Sequence, residues 1–405
     1  MGDFPIKRGL TAQEIDEFVQ NFDHHDPRFG QDPYPVLQRM VRECPIKHSS
    51  NYGGFWVFTG FEQVRWGYQN YELLSSVSVS VPSGQGNPRP MIPVEIDPPL
   101  HSKYRSLLAP VFAPARIGAL ETEIRAICTD LIDSFIEKGE CEFITQLAQP
   151  LPTRMFVKML GIPPDEADTF KHWNHAILHG VADDPDGTKR AATGQAARSR
   201  LRELLELRKR QRSDDIISIL IDSEVDGESL DDEHLLDIAY LLFLAGLDTV
   251  QGAVGFQFAF LASHPEHRDR LVADPPLIPE AIEELLRWES VVIAGRVATH
   301  DFEYEGFTFK KGDRVVLVDR AADRDPRAFD DPDAVNFDRT GMRHVAFAVG
   351  PHRCVGSHLA RLEMKVVHEE MHRRIPDYRL KEGTVVTTHG GNVAGLDELW
   401  LEWRN

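Results

Sequence analysis

Cysteine is scarce in this chain. Cys44, Cys128, Cys141 and Cys354 are the only four in 405 residues, too few and too scattered for a disulfide framework and suited to a reducing cytosol. Positive charge is short as well: 45 Lys and Arg against 64 Asp and Glu give a formal net charge of −19. That balance argues against general binding to nucleic acid or to an anionic membrane, leaving only the option of a local basic patch. No Pro/Gly/Ser-rich linker, charge block, repeat or low-complexity tract divides the chain. Residues 1–405 are therefore expected to form one domain whose core needs no staples. The opening Met1-Gly2-Asp3-Phe4-Pro5-Ile6-Lys7-Arg8 has no apolar anchor, so the expectation is a cytoplasmic protein with neither a membrane nor a nucleic-acid partner.

What is present concentrates in Phe347-Ala348-Val349-Gly350-Pro351-His352-Arg353-Cys354-Val355-Gly356. A cysteine sits in a glycine-bearing loop, and a helix-like run, Leu359 to Val367, follows at once. Glycine lets backbone N–H groups turn toward the sulfur, and the positive end of the following helix favours an anion. Both effects lower a thiol's pKa, so the spacing predicts a sulfur held as thiolate. The bland reading of a lone cysteine is a small inert hydrophobe beside a helix start.

Periodicity predicts a mainly α chain with a smaller β portion. Pro45–His48 and Phe55–Phe58 flank Tyr52-Gly53-Gly54 and read as a hairpin. Helical patterns dominate from Pro99 to Trp288, including Leu120–Ile136 and a charged, exposed helix over Leu201–Arg212. Strands are expected at Arg296–Tyr304 and Arg314–Val318, with a last β region over Thr384–Trp403. Val181–Ala192, rich in Asp and Gly, reads as a mobile connection. The longest apolar run, Leu235–Ala262, carries Asp248 near its middle and acidic flanks. It fits a helix buried on all sides better than a membrane span. Gly246 within it costs about 1 kcal/mol relative to alanine, so it needs a reason.

The cysteine loop resembles that of the cytochrome P-450 family, F-x-x-G-x-[HR]-x-C-x-G, at Phe347, Gly350, His352, Cys354 and Gly356. The continuation Gly356-Ser357-His358-Leu359-Ala360-Arg361-Leu362-Glu363 is similar to the family's G-x-x-L-A-R-x-E. The resemblance implies a soluble bacterial-type fold with haem b between a long distal helix and a proximal cysteine loop, Cys354 ligating iron. A thiolate ligand pushes electron density toward dioxygen and favours O–O cleavage. Ala245-Gly246-Leu247-Asp248-Thr249 resembles the family's distal [AG]-G-x-[DE]-T. It implies that Ala245 and Gly246 leave room for dioxygen, that Thr249 hydrogen-bonds it, and that Asp248 relays protons. Taken alone, Asp248 reads as a buried acid satisfied by a basic neighbour, and Thr249 as a hydroxyl bonded back to its own turn.

The same resemblance assigns further residues. Glu284 and Arg287 match E-x-x-R, a buried scaffold pair, and Ala322–Pro326 with Phe337-Asp338-Arg339 match the segment before the cysteine loop. Asp97-Pro98-Pro99 reads as an Asp-capped helix start, followed by His101 and Arg105 one turn apart. These two, with Arg296 and His352, are implied contacts for the haem propionates. Close bacterial relatives carry an aspartate where this chain has Ala294, which leaves one propionate needing another partner. By likeness to the camphor-hydroxylating branch, the pocket should involve Val94, Leu241, Leu244, Ala245, Val292 and Val393, suited to a compact apolar substrate of terpenoid or similar size. That branch's ketone-binding tyrosine has no counterpart in Asn87–Met91. The resulting expectation is a haem-thiolate monooxygenase served by a ferredoxin and its reductase, with Arg343 and Arg353 as docking cations beside Arg105, His344 and His352. A peroxygenase would not need the Asp248–Thr249 pair, and a haem-based sensor would carry an output domain.

Overall fold

The computed structural model describes residues 9–341 and 343–404. Met1–Arg8, on which the reading of the N-terminus rests, lie outside the described residues. Helices dominate the chain, and the longest apolar stretch forms its centre as two helices, Asp232–Leu247 and Thr249–Ser263. Taken as one rod, Asp232–Ser263 is long and apolar enough to cross a membrane, but 78% of its 18-residue apolar window is buried inside the protein. Its apolar surface is covered by neighbouring helices, which answers the question its composition raised.

The predicted hairpin forms. Ile46–Ser49 pairs antiparallel with Phe55–Phe58 across the turn at Tyr52-Gly53-Gly54. These strands lead a five-stranded mixed sheet that continues through Arg314–Val318, Ile293–Ala298 and Leu74–Ser75. Gly295 is required there: its N–H donates to Val79 O at 2.7 Å, and a Cβ would stand 2.8 Å from the Ser80 nitrogen. The sheet thus holds Arg296 against the segment that precedes the first propionate-type histidine.

Several expectations shift. Arg296–Tyr304 is not one strand: Ile293–Ala298 ends as Thr299 N–H turns to Leu73 O, and Phe302–Tyr304 pairs separately with Phe307–Phe309. The stacked Trp66–Tyr304 and Phe302–Phe309 rings explain why the small hairpin leaves the main sheet. The last β region splits into Thr387–His389 with Gly395–Glu398, and Trp400–Glu402 in another sheet. The charged helix is longer, Thr188–Arg210, and buries Leu201, Leu204 and Leu205 along one face. Val181–Ala192 is half helix and is pinned, not free: buried Asp184 accepts from the Lys189 and Arg190 N–H groups and pairs with the Arg190 side chain at 3.3 Å. Nor does Asp97 cap the helix Leu100–Leu108. Its carboxylate takes the Ser75 hydroxyl and the Ser76 N–H instead.

Candidate active site

The central apolar rod breaks at Asp248, whose φ and ψ are −113° and −36°. Broken helices leave carbonyls without donors, and here side chains serve them. Asn174 Nδ2 donates to Phe243 O at 3.2 Å and Leu244 O at 3.0 Å, and Thr249 Oγ1 donates to Ala245 O at 3.3 Å. The hydroxyl therefore bonds back to its own turn, as its residue type allows. Gly246 finds its reason in packing: a Cβ there would lie 2.4 Å from the Phe156 ring. Gly246 thus makes room for Phe156, and Ala245, Gly246 and Thr249 all border an interior cavity.

That cavity has a volume of about 360 Å³. Cys354, Phe347, Val355, Gly356 and Leu359 line it on the side of the cysteine loop, and Leu241, Leu244, Ala245 and Thr249 on the side of the broken rod. Val94, Val292 and Val393 complete the apolar wall, so all six expected pocket residues border one space. Val292 and Val393 also bridge to each other. Asn392, which sequence reasoning did not single out, borders the same space, and its side chain reaches the buried ring of His24.

The loop is closed by Cys354 N–H donating to Phe347 O at 2.8 Å and Arg353 N–H donating to Gly350 O at 3.2 Å. Gly350 adopts φ +75°, and a Cβ there would stand 3.0 Å from Tyr68 O. Gly356 is not sterically demanded. It supplies its N–H to the sulfur at the start of the helix Ser357–Arg374. Burial works against these local effects at Cys354. Its surface faces the cavity, not bulk water, and this burial pushes the thiol up, only partly offset by the Gly356 N–H and by Arg105, Arg361 and Arg353. Deprotonation there requires a cation at the sulfur itself, as a coordinated metal provides. Cys128 and Cys141 are buried, and burial pushes the Cys128 thiol up to about 12.

On the rim, His101, Arg105, Arg296 and His352 converge. The two imidazoles stand 4.1 Å apart between ring centres. Both ring nitrogens of His101 and Nε2 of His352 are buried without a hydrogen-bond partner among the described residues. Burial and the nearby guanidiniums push these histidines down to about 4 and about 3. Arg296 is buried, donates only to its neighbour Gly295 O at 2.7 Å and lies over the Tyr68 ring. Arg105 donates to Arg353 O. Four basic side chains with so little anionic company, next to an apolar slot and a cysteine, form a socket for a flat apolar group with acidic arms and a soft metal. Where Ala294 leaves no acid, Asp319, just past the strand that pairs with it, borders the cavity, acts electrostatically on Arg296 and accepts from Tyr68 OH at 2.8 Å. Burial and Asp323 push its carboxyl well above the usual range.

Beneath the loop, Glu284 and Arg287 are fully buried and paired at 2.8 Å. Arg287 also donates to Asp323 O, Pro332 O and Ala334 O, while Arg339 reaches Glu284 at 3.1 Å. Arg339 is thus a third member of this network, legible only as part of the Phe337-Asp338-Arg339 match. Of the expected docking cations, Arg343 and Arg353 are exposed. His344 is tied to Glu283 at 3.1 Å, in a carboxylate that Arg361 also grips at 2.6 Å. His352 is buried, so neither histidine offers surface charge.

Comparison with known proteins decides the family. The cytochrome P450 family model matches residues 185–375. A probable cytochrome P450 127A1 of Sinorhizobium fredii is 37% identical over 86% of this chain and 84% of its own length. This chain belongs to the cytochrome P450 family. A steroid C26-monooxygenase of Mycolicibacterium smegmatis is 32% identical over 84% of this P450 and 86% of its own length. The crystal structure of cytochrome P450 CYP101C1 superposes with a TM-score of 0.85 at 31% identity, covering 95% of this chain and 97% of that one. The P450 fold and haem b as cofactor follow, with dioxygen and an organic substrate as reactants of a monooxygenase.

Proposed function

We propose that residues 1–405 act as one catalytic unit that inserts an oxygen atom into a compact, largely apolar substrate. The observation that carries this reading is one cavity bounded by Cys354 on one wall and Thr249 on the other, with unpaired basic groups at its rim. Haem b, when bound, supplies the activation of dioxygen by a thiolate-ligated iron. Cys354 would be the iron ligand, with Phe347, Gly350 and Gly356 shaping its loop. His101, Arg105, Arg296 and His352 would take the propionates, and Ala245 would border the ring.

Within that frame the chain's own residues hold substrate and move protons. Val94, Leu241, Leu244, Ala245, Val292 and Val393 exclude water and press an apolar substrate toward the cysteine side. A cavity of about 360 Å³ shared with the cofactor favours a compact molecule of terpenoid or similar size. Thr249, once its hydroxyl leaves Ala245 O, presents a proton at the cavity wall, and Asp248 behind it is the acid that replenishes that proton. Glu284 and Arg287 act as scaffold. Electrons would come from a ferredoxin and its reductase in the cytoplasm, docking near Arg343 and Arg353.

The deciding experiment is spectroscopic. The reduced protein with carbon monoxide should show the red-shifted Soret band of thiolate ligation, and Cys354→Ala should abolish it, while Cys44, Cys128 and Cys141 are each replaceable. An unchanged band in Cys354→Ala overturns the assignment. Thr249→Ala should keep consuming dioxygen and reductant but release more of it as peroxide. Arg353→Glu should slow reduction by ferredoxin and flatten its salt dependence, with dithionite reduction unaffected.

A further inference from the structure

The carboxylate of Asp248 is withheld from the helix it begins. An aspartate in that position ordinarily accepts from the N–H groups of the first turn, yet Asp248 makes no such bond to Thr249–Ser263. Its Oδ2 instead meets His179 Nε2 at 2.8 Å. The His179 ring lies 4.4 Å from that of His389 and 4.8 Å from that of His175. His389 Nδ1 in turn stands 2.7 Å from Asp397 Oδ1. The strand opposite makes space for this arrangement: a Cβ on Gly395 would lie 2.8 Å from His389 Nε2. Side-chain exposure climbs along the line, from 7% at His179 and 10% at Asp248 to 22% at His389 and 46% at Asp397. The series runs from the break in the central rod to open water.

We propose that His179, backed by His389 and Asp397, is a positioning residue that passes solvent protons to Asp248, so that an imidazole chain feeds the distal side of the cavity. The proposal rests on the reading of Asp248 as the replenishing acid. A lysine or arginine beside Asp248 would hold the carboxylate but keep its own proton across the working pH range, whereas imidazole takes up and releases one near neutrality. In the step, the His179 Nε2–H bond breaks as the proton moves to Asp248 Oδ2. The imidazolium that gives this proton is left as the neutral Nδ1–H ring and is re-formed when Nε2 takes a proton from water after Asp248 has passed its own on; Nδ1 is buried without a partner among the described residues and stays outside the relay. One proton enters from water for each delivered, so charge balances without a co-reactant.

The other groups facing this chain do not compete for that role. His175, on the same helix Ala167–His179, is pushed down by burial and by His179. His25, from the N-terminal segment, is held down to about 4 by burial, with its Nε2 at 2.8 Å from Val81 O. Arg190 is engaged by Asp184 at 3.3 Å. The net effect on Asp248 is a carboxyl held low: burial raises it, and His179, His389 and His175 more than reverse that.

The test uses the haem-loaded full chain with NADPH, a plant-type ferredoxin and its reductase, or dithionite where that ferredoxin does not deliver electrons, reading dioxygen consumption and peroxide release without added substrate. His179→Gln keeps a hydrogen bond to Asp248 but cannot transfer a proton. It should lower proton-dependent dioxygen consumption about 10- to 100-fold, change the pH profile of that rate and raise the solvent isotope effect. The rate of forming the ferrous–carbon monoxide complex should stay as in wild type. Free imidazole should restore His179→Gly. A wild-type pH profile and isotope effect in His179→Gln, or no rescue by imidazole, overturns the proposal. If Asp248→Asn slows turnover while His179→Gln does not, the port alone is wrong; if neither does, the reading of Asp248 fails with it.

Discussion

Two groups of basic side chains lie within this protein, and they differ in how completely their charge is answered. Under the cysteine loop, Arg287 is fully buried with Glu284 at 2.8 Å and three backbone carbonyls, and Arg339 takes the outer lone pairs of the same carboxylate. At the cavity rim, His101, Arg105, Arg296 and His352 converge with no carboxylate in hydrogen-bond contact among the described residues: His352 Nε2 stands 3.9 Å from Asp97 Oδ1, and Asp319 acts on Arg296 without pairing with it. A closed network such as the first is structure. An open one is costly in a low-dielectric interior, and what it gives in return is affinity for a group that brings its own negative charge. The difference separates scaffold from socket without reference to which residues resemble which family.

The sharpest break in the comparison is Arg287→Ala. It strips the guanidinium from Glu284 and from three carbonyls at once, leaving a buried charge with Arg339 and the Asn336 N–H. Breaking a buried pair in this way costs about 3–5 kcal/mol. Chemical denaturation should show that loss in the haem-free as well as the haem-loaded protein, because the network answers itself. Arg296→Ala should behave in the opposite sense. Arg296 is buried with only Gly295 O as acceptor, and burial is the largest effect on its guanidinium, so removing it relieves a desolvated charge and the haem-free protein should be no less stable. Haem retention, measured by transfer to an acceptor protein, should fall by about 3 kcal/mol, on the order of 100-fold. Equal losses in both forms would make Arg296 scaffold after all.

The contrast also marks what the sequence could convey. Local chemistry was legible: the glycine-framed Cys354, the hairpin at Tyr52-Gly53-Gly54, the buried apolar rod and the i,i+3 pair Glu284–Arg287 all depend on neighbours within a few residues. What escaped depends on contacts distant in sequence. Gly246 answers to Phe156, Asp319 comes beside Arg296 only through strand pairing, and His179 meets His389 only where a helix passes a C-terminal hairpin. The spacing of His175 and His179, one turn apart, was the visible signal for that last cluster. The balance of effects at the cysteine sulfur was incomplete for a related reason. Helix and glycine effects are local and were counted, whereas the burial that outweighs them at Cys354 is a property of the assembled cavity.

Glu363 offers a third way to hold a buried ionisable group, and with it the smallest of these effects. It borders the cavity from the helix Ser357–Arg374, is 2% exposed, and its Oε1 has no partner among the described residues. Burial pushes its carboxyl up to about 8, so near neutrality it keeps its proton instead of finding a cation. The folded form therefore binds that proton more tightly than the unfolded chain, whose glutamates titrate near 4.3. Between those two values the folded state holds more protons, and stability must fall as pH rises through the window, the loss being complete above pH 8. Glu363→Gln removes the titration and preserves the shape. Its stability relative to wild type should be flat below pH 4 and should improve by about 2 kcal/mol between pH 6 and 7.5, at roughly 1.36 kcal/mol per unit. Denaturation of both proteins across that range measures it. A difference that does not change with pH would mean that a positive group compensates Glu363, and it would then belong with Glu284 among the answered charges.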